Sequence, residues 1–68
     1  MVERKPIEVL WREERDGHSF VCGLRDHGDF GVEVQMFQDR QFVSGQRFET
    51  RAEAVAFGEE ERARRAGS

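Results

Sequence analysis

At Thr50 the spacing of apolar residues in this 68-residue chain switches from every second position to a helical stripe. Upstream of that point, apolar and polar side chains alternate with the period of half-buried strands. Ile7, Val9 and Trp11 fall on one side, with Glu8, Leu10 and Arg12 on the other. Asp16-Gly17 follows, a dipeptide that tolerates the positive φ angles of a tight hairpin. Beyond it Phe20, Cys22 and Leu24 alternate with Ser19, Val21 and Gly23, so a first hairpin is expected over 7–25. Asp26-His27-Gly28-Asp29 reads as a second turn. A third strand over 30–37 places Phe30, Val32, Val34 and Met36 inward and Gly31, Glu33, Gln35 and Phe37 outward. Asp39-Arg40 makes a third turn, without glycine. The fourth strand, over 41–48, is an edge strand with Phe42 and Phe48 inward, beside Ser44 and Gln46, and Val43 opposite.

Thr50-Arg51-Ala52-Glu53 then has the form of a capping box, in which the threonine hydroxyl accepts from the amide of Glu53 and the glutamate reaches back. Ala52, Val55, Ala56 and Ala63 form the expected buried stripe of a helix over 51–65, with Phe57 at its margin. Glu60–Arg64 and Glu61–Arg65 are spaced as favourable four-residue pairs. Acidic residues early and arginines late suit the helix dipole. Gly58 in mid-helix costs about 1 kcal/mol relative to alanine and marks a close approach of helix to sheet. Ala66, Gly67 and Ser68 are expected to fray. The expectation is one α+β domain over 1–68, a four-stranded antiparallel meander with one C-terminal helix on one face (ββββα).

A chain of this length buries only about 60% of its unfolded surface. A single cysteine allows no internal disulfide, and Cys22, His18 and His27 do not have zinc-finger spacing. Close packing or self-association as a homodimer is the remaining support. Met1–Pro6 lacks the apolar run of a signal peptide, and no stretch approaches the roughly 20 apolar residues of a membrane span. With one lone thiol, these features lead us to expect a cytoplasmic protein. The charge is mixed and the net value is −3, which disfavours generic binding to nucleic-acid phosphates.

The densest polar cluster is Arg25-Asp26-His27-Gly28-Asp29. A histidine beside two aspartates has the chemistry of a general base or a metal site. Aspartate and glycine are also what turns are made of, and the turn is the expected reading. Asp29-Phe30-Gly31 matches the kinase metal-binding tripeptide by coincidence, since the other kinase motifs are absent. Cys22 and Trp11 are expected in the core. Arg62, Arg64 and Arg65 face Glu59, Glu60 and Glu61 one turn earlier, as a self-neutralising helix end. No catalytic, cofactor or metal residues are therefore expected. The tentative partner-binding set is the outer sheet face: Leu10, Val21, Phe37 and Val43, with Arg12, Arg25 and Arg47. Gly23, Gly31 and Gly45 are expected to let another backbone approach it, with Glu8, Glu33 and Gln35 interspersed. An apolar patch rimmed by polar groups is the mark of an interaction surface.

Two resemblances attach to these residues. Arg25 to Gly28, Gly31-Val32-Glu33-Val34-Gln35, Arg47 to Ala52, and Glu59-Glu60-Glu61-Arg62 together resemble a group of small bacterial proteins, over about two thirds of the chain. That resemblance implies no activity. Phe48-Glu49-Thr50-Arg51-Ala52-Glu53-Ala54 is similar to the F-x-T-K-x-E-A segment that opens the helix of the arm-type DNA-binding domains of tyrosine recombinases. It covers barely a tenth of the chain. It implies a small antiparallel sheet against a C-terminal helix, and DNA reading by the sheet, here with Arg12, Arg25 and Arg47. Glu8, Asp29 and Glu33 depart from the basic surface such a role needs. The expected function is thus a non-enzymatic interaction module that self-associates through its outer sheet face. A sheet-based nucleic-acid-binding accessory domain is the alternative.

Overall fold

A computed structural model describes residues 7–66. Met1–Pro6 and the expected fraying at Gly67 and Ser68 lie outside the described residues, and the helix runs through Ala66. Strands β1 (Glu8–Arg15), β2 (His18–Asp26), β3 (Val32–Gln38) and β4 (Gln41–Phe48) form one antiparallel sheet in sequential order, followed by helix α1 (Arg51–Ala66). This is the ββββα arrangement read from the alternation.

The turns behave as their residues require. Asp16 and Gly17 both take positive φ, at 53° and 79°. At the glycine-free turn, Asp39 and Arg40 do the same, at 52° and 71°. Aspartate tolerates this region, but arginine gains nothing from it. The Asp39 side chain holds the turn in place: Oδ1 accepts from the Ser19 amide at 2.9 Å and Oδ2 lies 2.8 Å from His18 Nδ1.

The core is Trp11, Cys22, Leu24, Val34, Met36 and Ala54, flanked by partly buried Leu10, Phe20, Val32, Phe48, Val55 and Phe57. The capping box forms, with Glu53 N donating to Thr50 Oγ1 at 3.2 Å and that hydroxyl donating to Glu53 Oε1 at 3.0 Å. The buried helix stripe is not the expected one. Ala52, Ala56 and Ala63 are exposed, while Ala54 and Gly58 are buried. Centring the stripe on these two small residues brings the helix close to the sheet. Trp11 Nε1 then donates to the Gly58 carbonyl at 2.9 Å, and a Cβ on Gly58 would lie 2.7 Å from Leu10 Cδ1. Gly58 thus marks the expected close approach.

The helix end also differs from its sequence reading. Arg64 turns to Glu61 at 3.6 Å, Arg62 to Glu13 on β1 at 3.9 Å, and Arg65 lies 4.8 Å over the Phe20 ring. Arg15 Nη1 donates to the Arg65 carbonyl at 2.8 Å. Arg15 and Arg65 thereby strap the C-terminal turn to the first hairpin, while Arg62 and Arg64 stay exposed and the Arg64–Glu61 pair is of the self-neutralising kind expected.

Candidate interaction surface

Two β-bulges decide which residues reach the outer face. In β1, Val9 pairs with Gly23 but Trp11 pairs with Cys22, leaving Leu10 as the extra residue. A bulge puts two residues against one and shifts the alternation. Leu10 and Trp11 therefore both face the helix, and Leu10 is not part of the outer surface. Upstream of the bulge the order reverses. Glu8 pairs opposite the buried Leu24 and reaches the Arg51 guanidinium on the helix. Ile7 and Val9, expected inside, lie on the outer side. The second bulge is in β4: Met36 pairs with Ser44 and Phe37 with Phe42, so Val43 is extra. Phe42, also expected inside, consequently joins Phe37 on the outer face, the two rings meeting edge-on at 5.9 Å and 76°.

Rows across the outer face follow from the register. Arg25, Glu33 and Arg47 stand side by side on β2, β3 and β4. The next row is Val9, Gly23, Gln35 and Gly45, and the one after is Arg12, Val21, Phe37 and Phe42. Val21, Phe37 and Arg25 are half-buried, while Arg12, Val43 and Arg47 are exposed. Of the expected partner-binding residues, all but Leu10 are thus on or at the edge of this face. Sequence alternation missed Ile7, Val9 and Phe42. The signal for each was a run of adjacent apolar residues, Val9-Leu10-Trp11 and Phe42-Val43, which strict alternation cannot place on one side.

The glycines do not form the bare track expected for another backbone. Ile7 lies over Gly23, its Cδ1 2.6 Å from where a Cβ would be. At Gly45 a Cβ would collide with the Glu33 carboxylate and lie 3.2 Å from the Phe42 ring. These glycines let neighbouring side chains of the same molecule fold down. Gly31 leaves the sheet altogether, with φ at 95° and its missing Cβ against the Phe48 carbonyl.

The charges on this face are organised around Glu33. Its Oε1 accepts from His27 Nε2 and from Gln35 Nε2, each at 2.9 Å. The His27 hydrogen bond, helped by Gln35 and Arg47, holds this carboxyl below its ordinary range despite partial burial. His27 is thus committed to Glu33 rather than to its neighbouring aspartates, and Asp26 Oδ1 accepts from the Gly28 amide at 2.7 Å as a turn-forming side chain does. Among the described residues no three histidines, cysteines or carboxylates are grouped to hold a metal. Cys22 is fully buried, and burial, with Glu59 and Glu61 nearby, pushes its thiol up to about 11. A thiol so raised is a poor nucleophile. No described helix is long and apolar enough to cross a membrane.

Compared with known proteins, the chain matches no family model, no curated protein and no solved structure.

Proposed function

We propose that this chain is a small, non-enzymatic interaction module of the bacterial cytoplasm that associates with a second copy of itself through the outer sheet face. One contrast carries the reading. On the inner face the helix covers the Phe48 end of β4, where that ring packs on Phe57, while farther along the same strand Ser44 and Gln46 are polar and exposed. On the outer side Val9 is 40% and Phe42 57% exposed, with Val43 at 59% on the adjoining edge strand and Val21 and Phe37 half-buried between. Solvent contact alone would favour polar residues in both places. An uncovered apolar face is the signature of a surface that meets a partner.

The identity of that partner as a second copy rests on the charge row. Arg25, Glu33 and Arg47 alternate in sign across three strands, and a row of both signs meets its own two-fold copy favourably when the two are offset by one strand, so that each Glu33 faces an arginine. A domain with a small core also has reason to bury more apolar surface by association. Sedimentation equilibrium at micromolar concentration tests the reading: self-association that Phe37→Asp or Phe42→Asp weakens supports it. A strict monomer, with both substitutions silent, refutes it.

The second reading is a sheet-based nucleic-acid-binding domain. It is favoured by the placement of Arg12, Arg25 and Arg47 on this same face and opposed by Glu33 between two of them. It requires affinity for duplex DNA that falls steeply with salt, as counterion release dictates.

A further inference from the structure

Phe30, expected to begin β3 with its side chain inward, instead closes a single 3-10 turn, Gly28–Phe30, and is 75% exposed. The turn that carries it is firmly built. His27 N donates to the Gly31 carbonyl at 2.8 Å, Phe30 N to His27 at 3.2 Å, and Gly31 N to Gly28 at 3.1 Å. Gly28, the first residue of the turn, and Gly31, just after it, take φ of 64° and 95°, where other residues are strained. A turn whose backbone is already fixed loses little conformational freedom on binding, and exposed aromatic side chains are the usual anchors of interfaces.

Phe30 itself forms one side of an open cleft of about 470 Å³ between this turn and the end of β4. Phe48 and the Gly31 backbone contribute its apolar wall, while Asp29, Arg47 and Glu49 bring both signs of charge. The geometry points to a second self-docking surface, distinct from the sheet face, in which two copies related by a two-fold axis each seat Phe30 in the other's cleft. A protrusion adjoining a recess is complementary to itself under a two-fold rotation, because each contact then occurs twice. The same rotation allows Arg47 of one copy to meet Asp29 and Glu49 of the other. A partner of a single charge sign would be opposed by one of these groups. A second copy matches both.

Two isologous surfaces on one chain build assemblies larger than a dimer. Sedimentation velocity over a concentration series of the wild type, Phe30→Ser, Phe42→Asp and the double variant tests this, with amide spectra confirming that each is folded. Phe30 is too exposed for its replacement to disturb the core. The wild type should pass beyond a dimer, each single variant should stop at a dimer, and the double variant should be monomeric. In Phe30→Ser any species beyond the dimer should appear only at a roughly tenfold or higher concentration than in the wild type, outside the range where the wild type assembles. A Phe30→Ser distribution identical to the wild type overturns the inference. The outcomes separate the two surfaces: a dimer lost in Phe42→Asp but not Phe30→Ser leaves only the sheet-face reading. The converse leaves only the Phe30 surface, and a monomer at every concentration removes both.

Discussion

The two faces of the sheet use the same strands and the same alternation, yet their side chains are set by different demands. On the helix side the largest residue, Trp11, is buried, its indole nitrogen satisfied by the Gly58 carbonyl. Two small helix residues, Ala54 and Gly58, lie over the sheet, so large meets small and the layers close. On the outer side the aromatic pair Phe37–Phe42 packs only against itself and its neighbours, and more than half of Phe42 remains in water. A residue on the first face is fixed by what lies opposite it within the molecule. On the second face Ile7, Glu33 and Gln35 are also held by neighbours of the same molecule, while Phe42 and Val43 keep more than half of their surface in water.

Substitutions can break this comparison, and the largest effect belongs to the helix side. Trp11→Ala removes a buried ring and its indole hydrogen bond to the Gly58 carbonyl. Its expected cost is about 3–5 kcal/mol, comparable to the whole stability of a domain this small, so thermal circular dichroism should find it largely unfolded. Phe42→Asp sharpens the contrast from the other side. Melting should move little, while the self-association constant measured by sedimentation should weaken by about 2 kcal/mol or more, as for a central anchor.

Gly58→Ala comes next. In an open helix this change would stabilise by about 1 kcal/mol. Here the new methyl meets Leu10 at 2.7 Å and Cys22 Sγ at 3.3 Å, and overpacking costs about 1–3 kcal/mol. Net destabilisation is expected in urea unfolding, partly relieved when Leu10→Ala is added. Arg40→Gly is smaller and opposite in sign. It relieves a left-handed arginine worth about 1–2 kcal/mol, offset in part by about 0.5–1 kcal/mol of glycine's extra freedom when unfolded, so the melting temperature should rise slightly.

The smallest expected effect concerns pH. The folded carboxyl of Glu33 is lowered, so its contribution is fully present above the ordinary glutamate value of about 4.3. It is lost as the pH falls through the lowered folded value. Glu33→Gln should lower the neutral plateau of stability slightly, flatten the acid limb, and leave the stability at the acid end nearly unchanged, as read by urea unfolding over a pH series.

Much of the fold was legible because strands, turns and the capped helix each carry local signals. Asp16-Gly17 and Thr50-x-x-Glu53 need only their own neighbours to act. The faces were harder to read. A bulge is one unpaired residue, and it inverts every assignment on one side of it. Leu10 was thereby credited to the outer face and Ile7, Val9 and Phe42 denied to it. The helix stripe was misplaced for a related reason. Ala54 and Gly58 are buried because Trp11 and Leu10 need room, a tertiary demand that no helical spacing reveals. Phe30 left the third strand because Gly28 and Gly31 accept positive φ, which alternation does not register.

The account depends most on the outer face being an interface, and nitrogen-15 amide spectra at two protein concentrations test that directly. We predict concentration-dependent shifts or broadening at Val21, Phe37 and Phe42, with the amides of Ala54 to Gly58 unchanged. Spectra that superimpose over the whole face at every concentration would contradict it.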